Sequence, residues 1–291
     1  MEIKGGSAMS NRVMVVGVST FKGFHIARRL LKEGYEVIGI DDEGQAKHQL
    51  SKQRLYVLSH PMFHLIQTDT SHRPNMRQVM TMYEPNHVIL CGGPSSVYTG
   101  REMERFEQVK QLIRSQKNRV SAPSFITFDL PIEDTRHSSS ALHLVTEDVY
   151  GPWDDSTTLF SKAVLAIDQG HRMVGYYATD IVKASYIDDV VETVVRVLRL
   201  IQSDLTLVGQ FRINASDYVH VQTLLTEVGY LMHHPVNLTL PVRDQVFHEV
   251  DLPTLEAMTG FNPQTSLYEG LKELIEWYDT YQTMMKEDMS T

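Results

Sequence analysis

A chain of 291 residues, 42% hydrophobic and 22% charged, can bury a sizeable core as one large domain or two coupled lobes. Its net charge of −9, with no lysine- and arginine-rich run, argues against nucleic acid or an anionic membrane surface as partner. The single cysteine, Cys91, excludes an intrachain disulfide framework and a cysteine zinc site, and the lack of a long apolar run makes a cytoplasmic location the expectation.

Residues 1–10 carry no periodic pattern and are expected to be a disordered extension or a tag remnant. Arg12–Val18 (RVMVVGV) is apolar without polar alternation, the pattern of a strand buried on both faces of a parallel sheet. Phe24–Glu33 has helical spacing, with Ile26, Leu30 and Leu31 on one side, Arg28, Arg29 and Lys32 on the other, and Gly34 to end it. Tyr35–Ile40 is a second strand closed by Asp41 and Asp42. Strand, glycine turn, helix, strand and terminal acid form the βαβ unit that binds dinucleotides.

Each position of that unit has a physical role. Gly17 permits the tight turn, Gly23 the close approach of helix and sheet, and the amides opening the helix attract a pyrophosphate. Asp41 is placed to accept from ribose hydroxyls, and Asp42 beside it repels a 2′-phosphate, which favours NAD over NADP. Thr20 stands where the G-x-x-G-x-x-G spacing wants its middle glycine, and a side chain there obstructs the pyrophosphate. Lys22 either pairs with phosphate or snorkels to solvent. The cofactor-binding candidates are therefore Gly17, Thr20, Phe21, Lys22, Gly23, Asp41 and Asp42, joined further on by Asp69, Cys91 and Gly92.

Phe63–Gln67 reads as a third strand, Met76–Tyr83 as a helix, and His87–Cys91 as a fourth strand ending in a glycine turn. Glu102–Arg114 reads as a helix and Ser124–Phe128 as a fifth strand, giving a doubly wound parallel sheet of Rossmann type. Ala141–Thr146 is the next strand. The second half shows helices at Leu159–Ala166, Asp188–Ile201, His220–Val228, Leu252–Met258 and Leu267–Tyr281, a strand at Gln210–Ile213 and a strand edge at Pro241–Val242. The expected division is 11–148 for the Rossmann domain and 149–291 for a smaller C-terminal α/β lobe, some of whose strands and helices complete the Rossmann sheet.

Thirteen histidines invite a metal reading, but no H-x-x-x-H lies on a helix with an acidic partner, so no metal is expected. Cys91 reads as a small buried residue rather than a nucleophile.

Taken together, these residues resemble the extended short-chain dehydrogenase/reductases, specifically the NAD-dependent epimerase/dehydratase family and within it the UDP-glucuronate 4-epimerases. Lys52–Asp69 (KQRLYVLSHPMFHLIQTD), Val149–Trp153 (VYGPW), Tyr186–Asp189 (YIDD) and Gly260–Trp277 (GFNPQTSLYEGLKELIEW) match the family in order. The resemblance implies that Gly17 and Gly23 lie at the pyrophosphate, Asp41 at the adenosine ribose, Asp69 near the adenine, and Tyr150 and Trp153 on the substrate side. It also implies a serine or threonine at the end of the fifth strand and a Tyr-x-x-x-Lys dyad on the next helix, the tyrosine acting as general base.

Here Phe128–Asp129–Leu130 occupies the strand end, and only the connector Pro131–Ser140 follows before the next strand. Ser95–Tyr98 mimics the serine-rich strand end but follows the fourth strand and has no lysine four residues on. The one Tyr-x-x-x-Lys spacing, Tyr268–Lys272, lies in the C-terminal helix, its tyrosine expected in the core. Beyond VYGPW the family's arginine-containing loop is replaced by Asp154–Asp155–Ser156, and its arginine and aspartate before YIDD are Val182 and Lys183. Acids in place of arginine remove a diphosphate clamp and reverse the local field.

The expectation is thus a divergent family member without standard redox epimerase activity, retaining a cleft for a dinucleotide or nucleotide sugar. Two alternatives stand beside it. One is an enzyme with altered acid–base chemistry on Asp129, Glu133 or His137; the other is an interaction protein with no small-molecule ligand. Because the family's dyad helix also builds its dimer interface, a monomer or a non-standard oligomer is expected.

Overall fold

The apolar, largely β-branched run after Asn11 forms β1 (Arg12–Val16), buried on both faces as that composition demands. The computed structural model describes residues 11–41, 49–70, 72–92, 109, 111, 123–128, 141–155, 158–203, 205–236, 238–244 and 252–288. The chain divides into two units, 1–127 and 128–291. The strand at 142–145 lies in the second of these units.

In the first unit β1 leads through a turn into α1 (Phe21–Lys32), β2 (Glu36–Asp41), α2 (Gln49–Val57), β3 (Phe63–Gln67), α3 (Arg73–Tyr83), β4 (His87–Leu90) and β5 (Ser124–Phe128). The order β3-β2-β1-β4-β5 is parallel throughout, with Val13 level with Val37 on one side and His87 on the other. This is the Rossmann-type α/β arrangement the alternation implies. α1 buries Phe24, Ile26, Ala27, Leu30 and Leu31, the stripe its spacing marks out. It begins at Phe21, three residues earlier than expected, because Thr20 caps it. α2 has no apolar stripe and was not anticipated: of its nine residues only Ser51 and Arg54 are buried. The helix expected at Glu102–Arg114 lies almost wholly outside the described residues.

The second unit holds β6 (Leu142–Val145), β7 (Asp148–Tyr150), α4 (Leu159–Gln169), β8 (Ile181–Tyr186), α5 (Ile187–Gln202), β9 (Gly209–Arg212), β10 (Asp217–His220), α6 (Val221–Leu231), α7 (Glu256–Thr259) and α8 (Leu267–Asp288). β6 and β9 pair in parallel, while β8 runs parallel to β7 and antiparallel to β10. Three sequence expectations need correction. Residues 252–254 are not helical, since the Pro253 carbonyl accepts from the Arg212 N–H at 2.9 Å and Thr254 bridges to Arg212. Pro241–Val242 makes no strand; the Pro241 carbonyl accepts from the Ala178 N–H at 2.8 Å. Tyr268 is 49% exposed rather than in the core, because α8 buries Leu267, Leu271, Leu274 and Ile275, a stripe that Tyr268 does not share.

Asp189, at the start of α5, is buried, and its carboxylate accepts from the N–H groups of Gln264 at 3.1 Å and Thr265 at 3.0 Å. Asp217 accepts from the Leu267 N–H at 2.7 Å and so holds the first amide of α8, which Ser266 caps through the Glu269 N–H at 3.3 Å. No helix among the described residues is long and apolar enough to cross a membrane.

Candidate functional site

The turn from β1 into α1 is built from main-chain geometry. Gly17 takes φ +77°, and its N–H donates to the Ile40 carbonyl at 2.8 Å, tying the turn to β2. A Cβ at Gly17 would collide with the Cys91 carbonyl, and one at Gly23 with the Gly17 carbonyl. Both positions therefore need glycine, one for a left-handed backbone and a close neighbour, the other for helix–turn contact.

Thr20 finds a local use that the spacing argument missed. Its hydroxyl donates to the Gly17 carbonyl at 2.7 Å and accepts from the Gly23 N–H at 3.2 Å, the bond of a helix N-cap. The side chain is thus folded into the turn instead of standing across it. The cost is one opening amide, that of Gly23, no longer available to an anion. Phe21 is buried, its ring edge-on to His25 at 5.1 Å, and Lys22 is half-buried.

Beneath the turn lies Arg54 of α2, 1% exposed and first among the largest fully buried side chains. Its guanidinium donates to the Ser19 carbonyl at 2.9 Å and lies 6.0 Å from the centre of the Phe21 ring. No periodicity marks this residue; only its place within Lys52–Asp69 could have drawn attention to it. Asp41 closes β2 at 1% exposure, and its carbonyl accepts from the Thr68 N–H at 2.9 Å. Asp69 follows on the surface, its carbonyl accepting from the His72 N–H at 3.1 Å. Cys91 is buried with its N–H on the Val16 carbonyl at 2.9 Å, and Gly92 is half-buried beside it. The structure therefore gathers Gly17, Thr20, Phe21, Lys22, Gly23 and Cys91 around one turn, with Asp41 and Asp69 at neighbouring strand ends. Asp42 and all three acid–base candidates, Asp129, Glu133 and His137, lie outside the described residues, as do Ser95–Tyr98.

In the second unit the substrate-side expectations change character. Tyr150 is fully buried, its ring stacked on Phe160 at 4.0 Å, so it serves the core and offers no surface to a ligand. Burial pushes its hydroxyl well above the usual tyrosine range, with the Asp217, Asp189 and Glu273 carboxylates adding to the rise. Trp153 keeps partial exposure; it takes φ +68° and leans on Trp277 at 5.7 Å. Asp154 does not project into solvent as a reversed charge. It is 2% exposed and accepts from the Asp155 N–H at 2.8 Å and the Thr158 and Ser161 hydroxyls at 2.5 and 3.2 Å, organising the start of α4. Lys183 pairs with Glu147 at 3.0 Å, and Arg212 approaches the same carboxylate at 3.6 Å. Two cations are thereby committed to an internal acid. Burial raises the neighbouring Asp148 carboxyl above its ordinary range, against the Lys183 N–H that donates to it at 3.2 Å.

Tyr268 and Lys272 do not form a dyad: Lys272 reaches Glu276 at 3.8 Å on the exposed side of α8. Among the described residues no group of three or more His, Cys, Asp or Glu side chains converges on a metal position. A groove of about 780 Å³ along α3, lined by Arg73, Pro74, Arg77, Gln78, Thr81 and Met82, shares no residue with the turn.

The sequence pattern of the NAD dependent epimerase/dehydratase family matches residues 13–111, the segment that builds the turn and its strands. Over that segment the chain is similar to the family. It is 25% identical to a probable UDP-glucuronate 4-epimerase of Rhizobium meliloti, strain 1021, over 92% of this chain and 97% of that protein. The alignment runs over 342 positions, more than the 291 residues here, so the relative carries residues with no counterpart in this chain. Among solved structures, the UDP-glucuronic acid 4-epimerase of Bacillus cereus in complex with NAD superimposes with a TM-score of 0.73 at 16% identity, over 92% of this chain and 99% of that one. The enzyme WbmF of Bordetella bronchiseptica, in complex with NAD+ and UDP, gives 0.73 at 15% identity, over 97% and 96%. At such identities the superpositions establish the fold.

Proposed function

We propose that this chain is a nucleotide-binding relative of the epimerases that does not carry out their standard redox epimerisation, and that its first unit holds NAD. The observation that carries this reading is the span between β5, which ends at Phe128, and β6, which opens at Leu142. Residues 129–141 (DLPIEDTRHSSSA) contain neither tyrosine nor lysine. A tyrosine acts as general base in this chemistry when a lysine lowers its pKa, and here Lys272 faces Glu276 instead.

The residues present fit a dinucleotide. Gly17 and Gly23 keep the turn open to a close-lying pyrophosphate, α1 directs its opening amides there, and the Asp41–Asp42 pair favours a free ribose 2′-hydroxyl. Bound NAD would supply hydride chemistry, yet among the described residues no tyrosine–lysine pair stands ready to exchange the accompanying proton. The pairing of Lys183 and Arg212 with Glu147 supports a second unit that does not grip a sugar nucleotide in the standard pose.

Native mass spectrometry of the purified chain, followed by titration with NAD and NADP, tests the binding half. NAD retained or bound in preference to NADP is expected; a chain that binds neither overturns it. Incubation with UDP-glucuronate tests the other half. No UDP-galacturonate is expected, and its formation at an appreciable rate would refute the loss of epimerisation.

A further inference from the structure

We infer that the exposed face of α3 is a docking surface for an acidic segment of a partner protein, one that presents two carboxylates a helical turn apart and an apolar side chain beyond them. α3 turns Met76 and Met80 inward and leaves two rows exposed along its groove of about 780 Å³. One row is Arg73, Arg77 and Thr81, the other Pro74, Gln78 and Met82, each spaced by four residues and so aligned along the helix. Met82, at 64% exposure, gives the far end of the second row an apolar contact.

The charge on this face has no answer among the described residues. Arg12, Arg196 and Arg243 each reach a carboxylate, at 2.8, 2.7 and 2.6 Å, whereas neither Arg73 nor Arg77 makes an ion pair or a side-chain hydrogen bond there. Two like charges a turn apart repel, and both stand towards the end of α3 where the helix dipole is already positive. No acidic residue occupies the first turn, and the His72 N-cap contributes no side-chain bond. For the stability of α3 alone this is an unfavourable choice of residues, and a carboxylate-bearing partner turns both repulsions into attraction. The two arginines lie about 6 Å apart along the axis, which matches carboxylates three or four residues apart on a partner helix, and Met82 lies about 13 Å from Arg73. Guanidinium forks take carboxylates in bidentate fashion. A nucleic acid fits less well, because the chain carries a net charge of −9 and this face offers it only a pair of cations.

Selection of a phage-displayed library of random linear peptides on the immobilised full chain tests the role. Enriched peptides are expected to carry two Asp or Glu three or four positions apart with an apolar residue further along, and to bind more weakly as salt rises. Their affinity should fall about threefold for Arg73→Ala or Arg77→Ala. The doubly reversed chain, Arg73→Glu with Arg77→Glu, should lose them and bind instead the same peptides with lysine at the two acidic positions. It should unfold at the same or a higher temperature, since acids suit a helix N-terminus, so that lost binding is not lost folding. Enrichment of no peptide, of peptides without the acidic pair, or of peptides that the reversed chain holds equally well overturns the role. A dimer of the wild-type chain that the reversed chain does not form overturns the choice of partner. Should the reversed chain fail to fold, the two alanine variants decide. NAD binding is expected to be the same in all these variants, so a chain that binds no NAD overturns the dinucleotide reading alone, and one that selects no acidic peptide overturns this role alone.

Discussion

Single side chains in this molecule divide into those that face a ligand position and those that only look as though they do. Thr20 is the sharpest case, because its hydroxyl stabilises α1 while consuming the Gly23 amide. Thr20→Ala should cost about 1 kcal/mol in denaturant unfolding through loss of the cap, whereas Thr20→Gly should cost only a few tenths of that scale. The glycine variant should also bind NAD roughly threefold more tightly, one amide having been returned to the pyrophosphate. Tyr150 lies on the other side of the division. Its hydroxyl is buried without a hydrogen-bond partner among the described residues, so Tyr150→Phe should leave stability unchanged or raise it by about 1 kcal/mol, with no effect on ligand binding. His87 supplies a pH dependence. Burial pushes its imidazole down to about 4 from 6.5, and its Nδ1 lies 2.6 Å from the Ser124 hydroxyl. The neutral ring is the folded form, so its contribution is complete above pH 6.5 and is lost as pH falls from there towards about 4. Between pH 7 and pH 5 the chain should lose about 2 kcal/mol by urea unfolding, a loss that His87→Gln should largely abolish.

Elements were legible from the sequence where a periodic pattern and a stop signal coincided. β1, α1, β2, β3, β4 and β5 all follow from apolar runs, a helical stripe and glycine or acidic ends. α2 escaped because it buries a serine and an arginine in place of an apolar stripe, and β10 because alternate residues of Asp217–His220 stay exposed. The stretch 252–258 was misread since leucine and methionine spacing there suggests a helix, while the pairing of Arg212 with Pro253 and Thr254 draws its first residues into an extended path. Long-range hydrogen bonds of this kind leave no local trace. The YIDD segment is similar: it reads as a family motif by its place in the order, and the structural work of its last acid, Asp189, which anchors the Gln264–Thr265 main chain, is visible only in the fold. Asp189→Ala should therefore leave the Gln264 and Thr265 N–H groups without their carboxylate acceptor and destabilise the second unit by about 1–3 kcal/mol, seen as faster proteolysis near residue 264.

At the scale of the whole molecule the candidate site was half readable. The turn and its acids were marked by glycine spacing and strand ends, which are sequence features with one physical meaning. Arg54 was not, since a buried arginine is recognised only by what surrounds it. The resemblance to the family also carries an expectation about assembly: it implies a dimer interface built by the dyad helix, and the 13 residues from 129 to 141 contain neither residue of that dyad. Light scattering should therefore return the mass of one chain, or an oligomer insensitive to changes that disrupt the family interface. A dimer using the family's own surfaces would contradict this.

The two glycines of the turn carry a lesson about inheritance. Each is demanded by the fold alone, Gly17 by the Cys91 carbonyl and its left-handed backbone, Gly23 by the Gly17 carbonyl, whether or not a cofactor ever arrives. A lineage that abandoned its cofactor would go on keeping both, because their loss would be felt as misfolding. Lys22 and Asp69 lie partly or wholly at the surface, and neither is a glycine whose place a Cβ would contest. They are the positions at which disuse would be written first.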